Sequence, residues 1–182
     1  MKENKGITMV TLIITIIVLL IIAGISIGTG NKVIKSSELE NVKTNMLLIK
    51  AKGKEYVENA NFKLGTNLDN LTDEDEDKNN RITAAKAELK EGKEITDENI
   101  LKNIGITQEN INDYIYYYKL DKSDLTDMGL SNVKSDEKNG WYIIKYDIKN
   151  VEVEVYNTQG FERDGKNYYS LNELQNLDIK FQ

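Results

Sequence analysis

The chain has 182 residues and a formal net charge of −6, and it contains no Cys, His or Pro. These absences exclude disulfides, thiol nucleophiles, Ser-His-Asp catalysis, His-liganded zinc and a Leu-Pro-x-Thr-Gly sorting motif. The acidic balance argues against a nucleic-acid partner, because a surface that displaces counterions from phosphates needs an excess of Lys and Arg. The length fits one domain with an appendage.

Residues 7–30 are predicted to form a membrane helix, with residues 7–27 as its apolar core. No charged residue occurs between Gly6 and Lys32, and Ile, Leu and Val dominate residues 7–27. At about 1.5 Å of rise per residue, residues 7–27 would form a helix of about 32 Å, close to the roughly 30 Å hydrocarbon core of a bilayer. A buried helix of a soluble domain is disfavoured, because such a helix is rarely apolar on all sides.

Three kinds of membrane segment are compatible with this stretch. A secretory signal peptide would be cut near Ser26 and Gly28, whereas a signal anchor would remain uncut. A cut between Gly6 and Ile7 would remove only the short charged segment 1–6 and leave the apolar helix on the mature chain. The third interpretation is favoured, because Lys5-Gly6 stands directly before the apolar run.

This N-terminus resembles the class III signal of type IV pilins and type II secretion pseudopilins, in particular pilin-like proteins of Gram-positive, clostridia-like bacteria. The resemblance rests on Lys5-Gly6-Ile7-Thr8, the apolar run and its amphipathic continuation. It implies cleavage between Gly6 and Ile7 by a prepilin peptidase and methylation of the new amino terminus. It also implies assembly with other pilin or pseudopilin subunits on a platform in the cytoplasmic membrane.

One position departs from the family pattern. The family usually has Glu as the fifth residue after the cut, whereas this chain has Thr11. Thr11 cannot form the ion pair that the family's glutamate is thought to make with the amino terminus of a neighbouring subunit. Either this lineage assembles without that pair, or the protein is a minor subunit at a filament tip.

The resemblance also implies a single-pass protein whose C-terminal domain lies outside and which enters a cell-surface filament after assembly. The charges that flank the apolar run do not decide the orientation, because Lys2 and Lys5 precede it while Lys32 and Lys35 follow it. The outside location is therefore an expectation from the resemblance alone.

The helix is predicted to continue over residues 31–62 with one apolar face. Apolar or small residues recur at alternating steps of three and four, which is the helical period. They are Leu39, Val42, Met46, Ile49, Gly53, Tyr56 and Ala60. We expect this face to pack on the sheet of the same domain. A coiled coil with another chain is the alternative, but Gly53 interrupts the stripe.

Residues 63–112 are predicted to form loops and short helices. Thr83, Thr96 and Thr107 each precede a segment with helix-forming or acidic residues, so each is a candidate N-terminal cap. This pattern has no long periodicity and predicts no extended element.

One possible ion site lies within this region. Asp75, Asp77 and Asn79 match the first, third and fifth ligand positions of a calcium loop. Lys86 stands at the twelfth position, where a carboxylate is required. A solvated acidic loop is therefore the favoured interpretation, and no other cofactor is expected.

Residues 113–182 are predicted to form an antiparallel sheet. Its strands are predicted at residues 114–120, 141–148, 151–156 and 168–169, with short helices capped by Ser123 and Ser170. Turn signals separate the strands at Asn139-Gly140, Lys149-Asn150 and Asp164-Gly165. The expected fold is α+β and pilin-like, with a long N-terminal helix packed on a small C-terminal sheet.

The tyrosines of this region have two possible roles, a stacking surface for sugars or bases or ordinary strand packing, and packing is favoured. They are Tyr116, Tyr117, Tyr118, Tyr142, Tyr146, Tyr156, Tyr168 and Tyr169. No carboxylate pair stands out for acid-base catalysis, so no enzymatic activity is expected.

The favoured function is a prepilin-like structural subunit of a type IV pilus or a secretion pseudopilus. The alternative is a membrane-anchored adhesin or sensor domain that does not polymerise. The sequence leaves open whether the subunit is major or minor, and whether the filament serves motility, adhesion, DNA uptake or secretion.

Overall fold

The computed structural model describes residues 9–66, 76–106 and 112–177, with side chains from residue 37 onward. The helices of this part are α1 (Met9–Leu64), α2 (Glu76–Lys86), α3 (Glu98–Lys102), α4 (Lys122–Asp127) and α5 (Leu171–Gln175). The strands are β1 (Lys93–Glu94), β2 (Ile115–Leu120), β3 (Tyr142–Asp147), β4 (Glu152–Arg163) and β5 (Lys166–Ser170). The chain divides into two compact units, Met1–Glu40 and Asn41–Gln182, and the sheet belongs to the second.

The amphipathic part of α1 buries one face. Its fully buried side chains repeat at steps of three and four, as the helical period requires. They are Met46, Ile49, Val57, Ala60 and Leu64, and Gly53 lies between them. The predicted apolar face is therefore confirmed in this unit. Val42 and Tyr56 are only half-buried, and the helix ends at Leu64 rather than at residue 62.

The strands form one antiparallel sheet in the order β1-β2-β3-β4-β5, so each strand pairs with the next in the chain. Tyr118 lies opposite Ile144, and Ile144 lies opposite Val155, which places these three side chains on the same face. A helix packed on a small antiparallel sheet confirms the α+β class that the sequence predicts. Strand β1 was not predicted, since two residues leave no alternating pattern.

Helix α1 and the sheet come closest at Gly53. A Cβ atom at this position would collide with Cδ1 of Ile144 and would lie 3.2 Å from Cε1 of Tyr146 and Cγ1 of Val153. Only a residue without a side chain allows the helix backbone to approach the sheet this closely. Gly53 is therefore a packing position and not an interruption of the apolar face.

Polar contacts fix α1 to the turn between β3 and β4. Asn61 Nδ2 donates hydrogen bonds to the carbonyl oxygens of Ile148 at 2.8 Å and Lys149 at 3.2 Å. Lys54 Nζ donates to the carbonyl oxygen of Val151. Val151 has φ 56°, a conformation that a β-branched residue rarely adopts. The helix thus supports a strained turn.

The opposite face of the sheet is covered by α3 and the residues that follow it. Leu101, Ile104 and Ile106 pack with Tyr117 and Ile143 in one buried cluster. Tyr117 and Ile143 alternate with the residues that face α1, as the two-residue period of a strand requires. The centre of the sheet, at β2 and β3, is therefore covered on both faces.

The prediction that a helix starts after Thr83 is wrong. Helix α2 already begins at Glu76, and the Thr83 hydroxyl inside it donates to the carbonyl oxygen of Asn79 at 2.8 Å. The charged residues before Thr83 support a helix because Asp77 and Arg81 pair one turn apart. The helix predicted after Thr107 lies outside the described residues.

In two of the predicted helices, a nearby aspartate is the N-terminal cap instead of the predicted residue. Asp97, not Thr96, caps α3, and Asp121, not Ser123, caps α4. Asp and Ser are nearly equivalent as caps, so the sequence does not decide between neighbouring candidates. The predicted cap at Ser170 is confirmed, and Glu173 completes its capping box.

Strand β4 is longer than the predicted strand at 151–156, since it continues to Arg163. A bulge interrupts its pairing with β5. The buried Asn157 side chain supports the bulge by accepting hydrogen bonds through Oδ1 from the backbone N–H groups of Gln159 at 3.0 Å and Gly160 at 3.3 Å. The apolar alternation ends before this point, which explains why the extension was missed.

Replacement of Gly53 by alanine tests the close approach. At an exposed helical site this change raises the free energy of unfolding by about 0.5–1 kcal/mol. Here we expect a decrease of about 1–3 kcal/mol, because the methyl group overpacks the helix–sheet contact. Urea unfolding of the full chain in detergent measures it.

The matched control is Asn59→Ala at an exposed position of the same helix. We expect this control to be neutral or slightly stabilising. An increase in stability for both variants would contradict the packing role of Gly53.

Candidate functional site

The predicted processing site lies outside the part of the chain for which side chains are described. Gly6 and Ile7 precede the first described residue. Thr11 lies within α1, in the part of the helix for which only the backbone is described. In the part of the chain that the structure describes, none of the helices combines the length and apolar character that a bilayer span requires. The membrane segment at 7–27 therefore stays a prediction from the sequence.

Two of the three calcium-loop residues occupy a helix. Asp77 and Asn79 lie on α2, where residues two apart face different directions, and Asp75 lies outside the described residues. Asp77 pairs with Arg81, with 2.7 Å between Oδ2 and Nη2. The loop conformation expected at Asp77 and Asn79 is thus wrong. Within the described ranges no group of three or more acidic side chains is arranged to hold a metal ion.

Half of the tyrosines proposed as a stacking surface are inside the domain. Tyr117, Tyr118, Tyr142 and Tyr146 are at most 7% exposed. The rings of Tyr118 and Tyr146 pack edge to face with 5.8 Å between their centroids. For these four residues the strand-packing interpretation is confirmed.

Burial also changes the acidity of these phenols. It raises the pKa of Tyr117 and of Tyr118 to about 12, with smaller contributions from Asp147 and Glu94 respectively. A buried phenol resists ionisation because the charged form loses its hydration. The sheet therefore holds these side chains neutral well above the ordinary tyrosine range.

A cleft of about 520 Å³ lies between α2, β1, α3 and β2. Its lining includes Lys78, Glu94, Asp113 and Tyr116. The ammonium group of Lys86 lies 4.9 Å from the ring centroid of Tyr116 and forms an ion pair with Glu94 at 2.8 Å. Lys86, Glu94 and Tyr116 therefore already contact one another at the wall of this cleft.

A second cleft, of about 450 Å³, follows the N-terminal half of β4. Three lysines from two elements line it, and we refer to Lys50, Lys54 and Lys145 as the lysine edge. Strand β5 begins to pair with β4 at Tyr156, so the lysine edge lies beside the earlier residues of β4. Glu152 and Glu154 line the same cleft, so its charged side chains leave only a small positive balance.

Glu154 organises the lysine edge. Its Oε1 accepts a hydrogen bond from the backbone N–H of Asn172 at 3.0 Å, and its Oε2 accepts one from Asn172 Nδ2 at 2.6 Å. Lys50 Nζ lies 3.8 Å from the same Oε2, and Lys145 is opposite Glu154 in the sheet. Burial raises the pKa of Glu154, while the Asn172 hydrogen bond and the charge of Lys50 act in the other direction.

The sequence analysis did not identify the lysine edge. Val151, Val153 and Val155 alternate with Glu152 and Glu154, a pattern typical of a strand with one solvent-facing side, and it does not distinguish Glu154 from an ordinary exposed residue. The relevant signal is the helical spacing of Lys50 and Lys54, four residues apart on α1. That spacing indicates a charged stripe, but the strand beside it is known only from the fold.

Comparisons of the chain with protein-family models, with curated proteins and with solved structures find no match.

The buried tyrosines predict a loss of stability at alkaline pH. Their pKa is raised in the folded state, so their contribution is complete below the unfolded value of about 10 and is lost as the pH rises through about 12. We expect the thermal midpoint to fall across this window together with the rise of tyrosinate absorbance. Tyr118→Phe should make the fall shallower.

Measurement of the midpoint of both chains from about pH 8 to about pH 12 checks this expectation. A Tyr118→Phe chain whose midpoint falls as steeply as that of the unmodified chain would contradict the assigned role of this phenol.

Proposed function

We propose that the protein is a prepilin-like structural subunit of a type IV pilus or a type II secretion-like pseudopilus. The observation that carries the proposal is the sequence Lys5-Gly6-Ile7 directly before the apolar run 7–27. A prepilin peptidase would cut between Gly6 and Ile7. The remaining chain would then begin with its hydrophobic helix.

The chemistry of the apolar segment supports assembly through this helix. Inside a bilayer, helices gain little from leaving the lipid for one another, so association depends on close packing and polar contacts. Thr8, Thr11, Thr15 and Gly24 supply small and hydrogen-bonding side chains in this stretch. In this proposal the segment is held in membrane lipid until it enters a bundle of other pilin or pseudopilin helices.

The packing of the second unit is consistent with a subunit whose helix serves two interfaces. Gly53 lies against the sheet, and Ile49 and Val57 on the same face of α1 are fully buried. Leu47 and Leu48 on the same helix remain 46% and 45% exposed. A subunit in a filament would cover such side chains with its neighbours, whereas a solitary anchored domain would leave them in water.

The proposed location and partners follow from the same assignment. The unassembled subunit would be a single-pass protein of the cytoplasmic membrane with its sheet domain outside. Its partners would be the prepilin peptidase, the membrane assembly platform and further subunits. After assembly it would belong to a cell-surface filament.

Cysteine cross-linking in native cells tests polymerisation. The chain has no Cys, so introduced thiols react without background. Ile16→Cys and Val18→Cys lie two residues apart, on different sides of a helix, and so address two neighbours at once. We expect oxidation to give a ladder of dimers, trimers and larger species.

The matched control carries Lys138→Cys and Lys166→Cys, both at exposed positions of the sheet unit. We expect it to give a much weaker ladder. A chain that never exceeds a dimer in either form would contradict the proposal and would favour an anchored adhesin or sensor domain.

A further inference from the structure

Three side chains that can react with one another meet in the cleft beside the N-terminal half of β4. Lys50 carries a primary amine, Asn172 a carboxamide and Glu154 a carboxyl group, and all three line this cleft of about 450 Å³. They come from α1, α5 and β4, so only the fold brings them together. An amine and a carboxamide are the reactants of an amide exchange, and a carboxyl group beside them can move the protons of that reaction.

One oxygen atom contacts both nitrogen atoms of this group. Oε2 of Glu154 accepts a hydrogen bond from Asn172 Nδ2 at 2.6 Å and lies 3.8 Å from Lys50 Nζ. The other oxygen, Oε1, accepts a hydrogen bond from the backbone N–H of Asn172 at 3.0 Å, which restrains the orientation of the carboxyl group. A carboxyl group in this position can take a proton from the amine and deliver one to the carboxamide nitrogen.

The fold holds the amine and the carboxamide close to this carboxyl group. Asn172 is the second residue of α5, which is anchored by the buried side chains of Leu171 and Leu174. Lys50 directly follows Ile49, which is fully buried on α1. Reactive groups that are held side by side react far faster than the same groups free in solution, because the cost of bringing them together is met by folding.

The carboxyl group is largely shielded from water. The side chain of Glu154 is 13% exposed, compared with 36% for Lys50. Burial raises the pKa of Glu154, although the hydrogen bond from Asn172 and the charge of Lys50 act in the other direction. A raised carboxyl pKa favours proton transfer in both directions, since a catalytic acid and base works best when its pKa approaches the surrounding pH.

We propose that Lys50 and Asn172 form an intramolecular isopeptide bond and that Glu154 transfers the proton in this reaction. The ion pair between Lys50 and Glu154 alone would be an ordinary surface contact of little energetic value. The distinguishing feature is the carboxamide that contacts the same oxygen atom. The inference goes beyond the proposed function and does not rest on it, because the reaction needs only the folded unit Asn41–Gln182.

The reaction exchanges one amide bond for another. The ammonium group of Lys50 first releases a proton to solvent, and the neutral amine then attacks Cγ of Asn172. The bond between Nζ and Cγ forms, and the bond between Cγ and Nδ2 breaks. Glu154 takes the proton that Nζ gives up and delivers it to Nδ2, so that ammonia leaves. The exchange consumes no oxidant, reductant or further reactant.

The bond would join the two helices at the ends of the folded unit. Strands β1 to β5 all lie between residues 50 and 172, so the new loop would enclose the whole sheet. A covalent link across a long loop stabilises a protein mainly by restricting its unfolded chain. We therefore expect the linked chain to unfold at a higher temperature than a variant that cannot form the bond.

Peptide mapping of the full chain, purified in detergent from its own membranes and then denatured, tests the proposal. We expect a branched peptide that joins the segment containing Lys50 to the segment containing Asn172. Its mass should be lower than that of the two separate peptides together by the mass of one ammonia. A succinimide at another asparagine also loses ammonia, but it gives no branched peptide.

Two variants examine the assigned roles. Lys50→Arg keeps the positive charge but removes the nucleophilic amine, and Glu154→Gln removes the group that transfers the proton. We expect both to lack the branched peptide and to unfold at a lower temperature than the unmodified chain. Because Lys50→Arg preserves the charge of the site, it remains informative if Glu154→Gln does not fold.

The matched controls are Glu152→Gln, at an exposed position of the same strand, and Lys145→Arg, opposite Glu154 in the sheet. We expect both to form the branched peptide as the unmodified chain does. An unmodified chain without this peptide would overturn the proposal. A bond that persists in Glu154→Gln, or a branched peptide that contains Lys145 in place of Lys50, would overturn the assigned roles.

Discussion

At Gly53 the backbone of α1 lies against Ile144, Tyr146 and Val153 with no side chain between helix and sheet. This contact fixes how deeply and at which rotation the helix packs. The rotation in turn places Asn61 and Lys54 at the carbonyl groups of the β3–β4 turn. It also places Lys50 beside Glu154 at the N-terminal half of β4.

In the proposed function, two parts of one helix have different roles. The apolar segment 7–27 would supply an association that depends on close packing in lipid and not on the release of water. The centre of the sheet is covered by α1 on one face and by α3 and the residues that follow it on the other.

The sequence predicts features that follow from local periodicity. The apolar face of α1, the strands β2 and β3 and the cap at Ser170 agree with the structure, since each depends on residues close in the chain. Gly53 was interpreted as an interruption, because its role depends on a sheet that lies far away in sequence. The lysine edge was missed for the same reason: Lys50 and Glu154 meet only through the fold.

The amino terminus of the native protein tests the central claim most directly. Intact mass and N-terminal sequencing of the protein from its own membranes identify the first residue of the mature chain. The account predicts a chain that begins at N-methylated Ile7. A chain that begins at Met1, or one that begins beyond Gly24 after conventional signal cleavage, would contradict it.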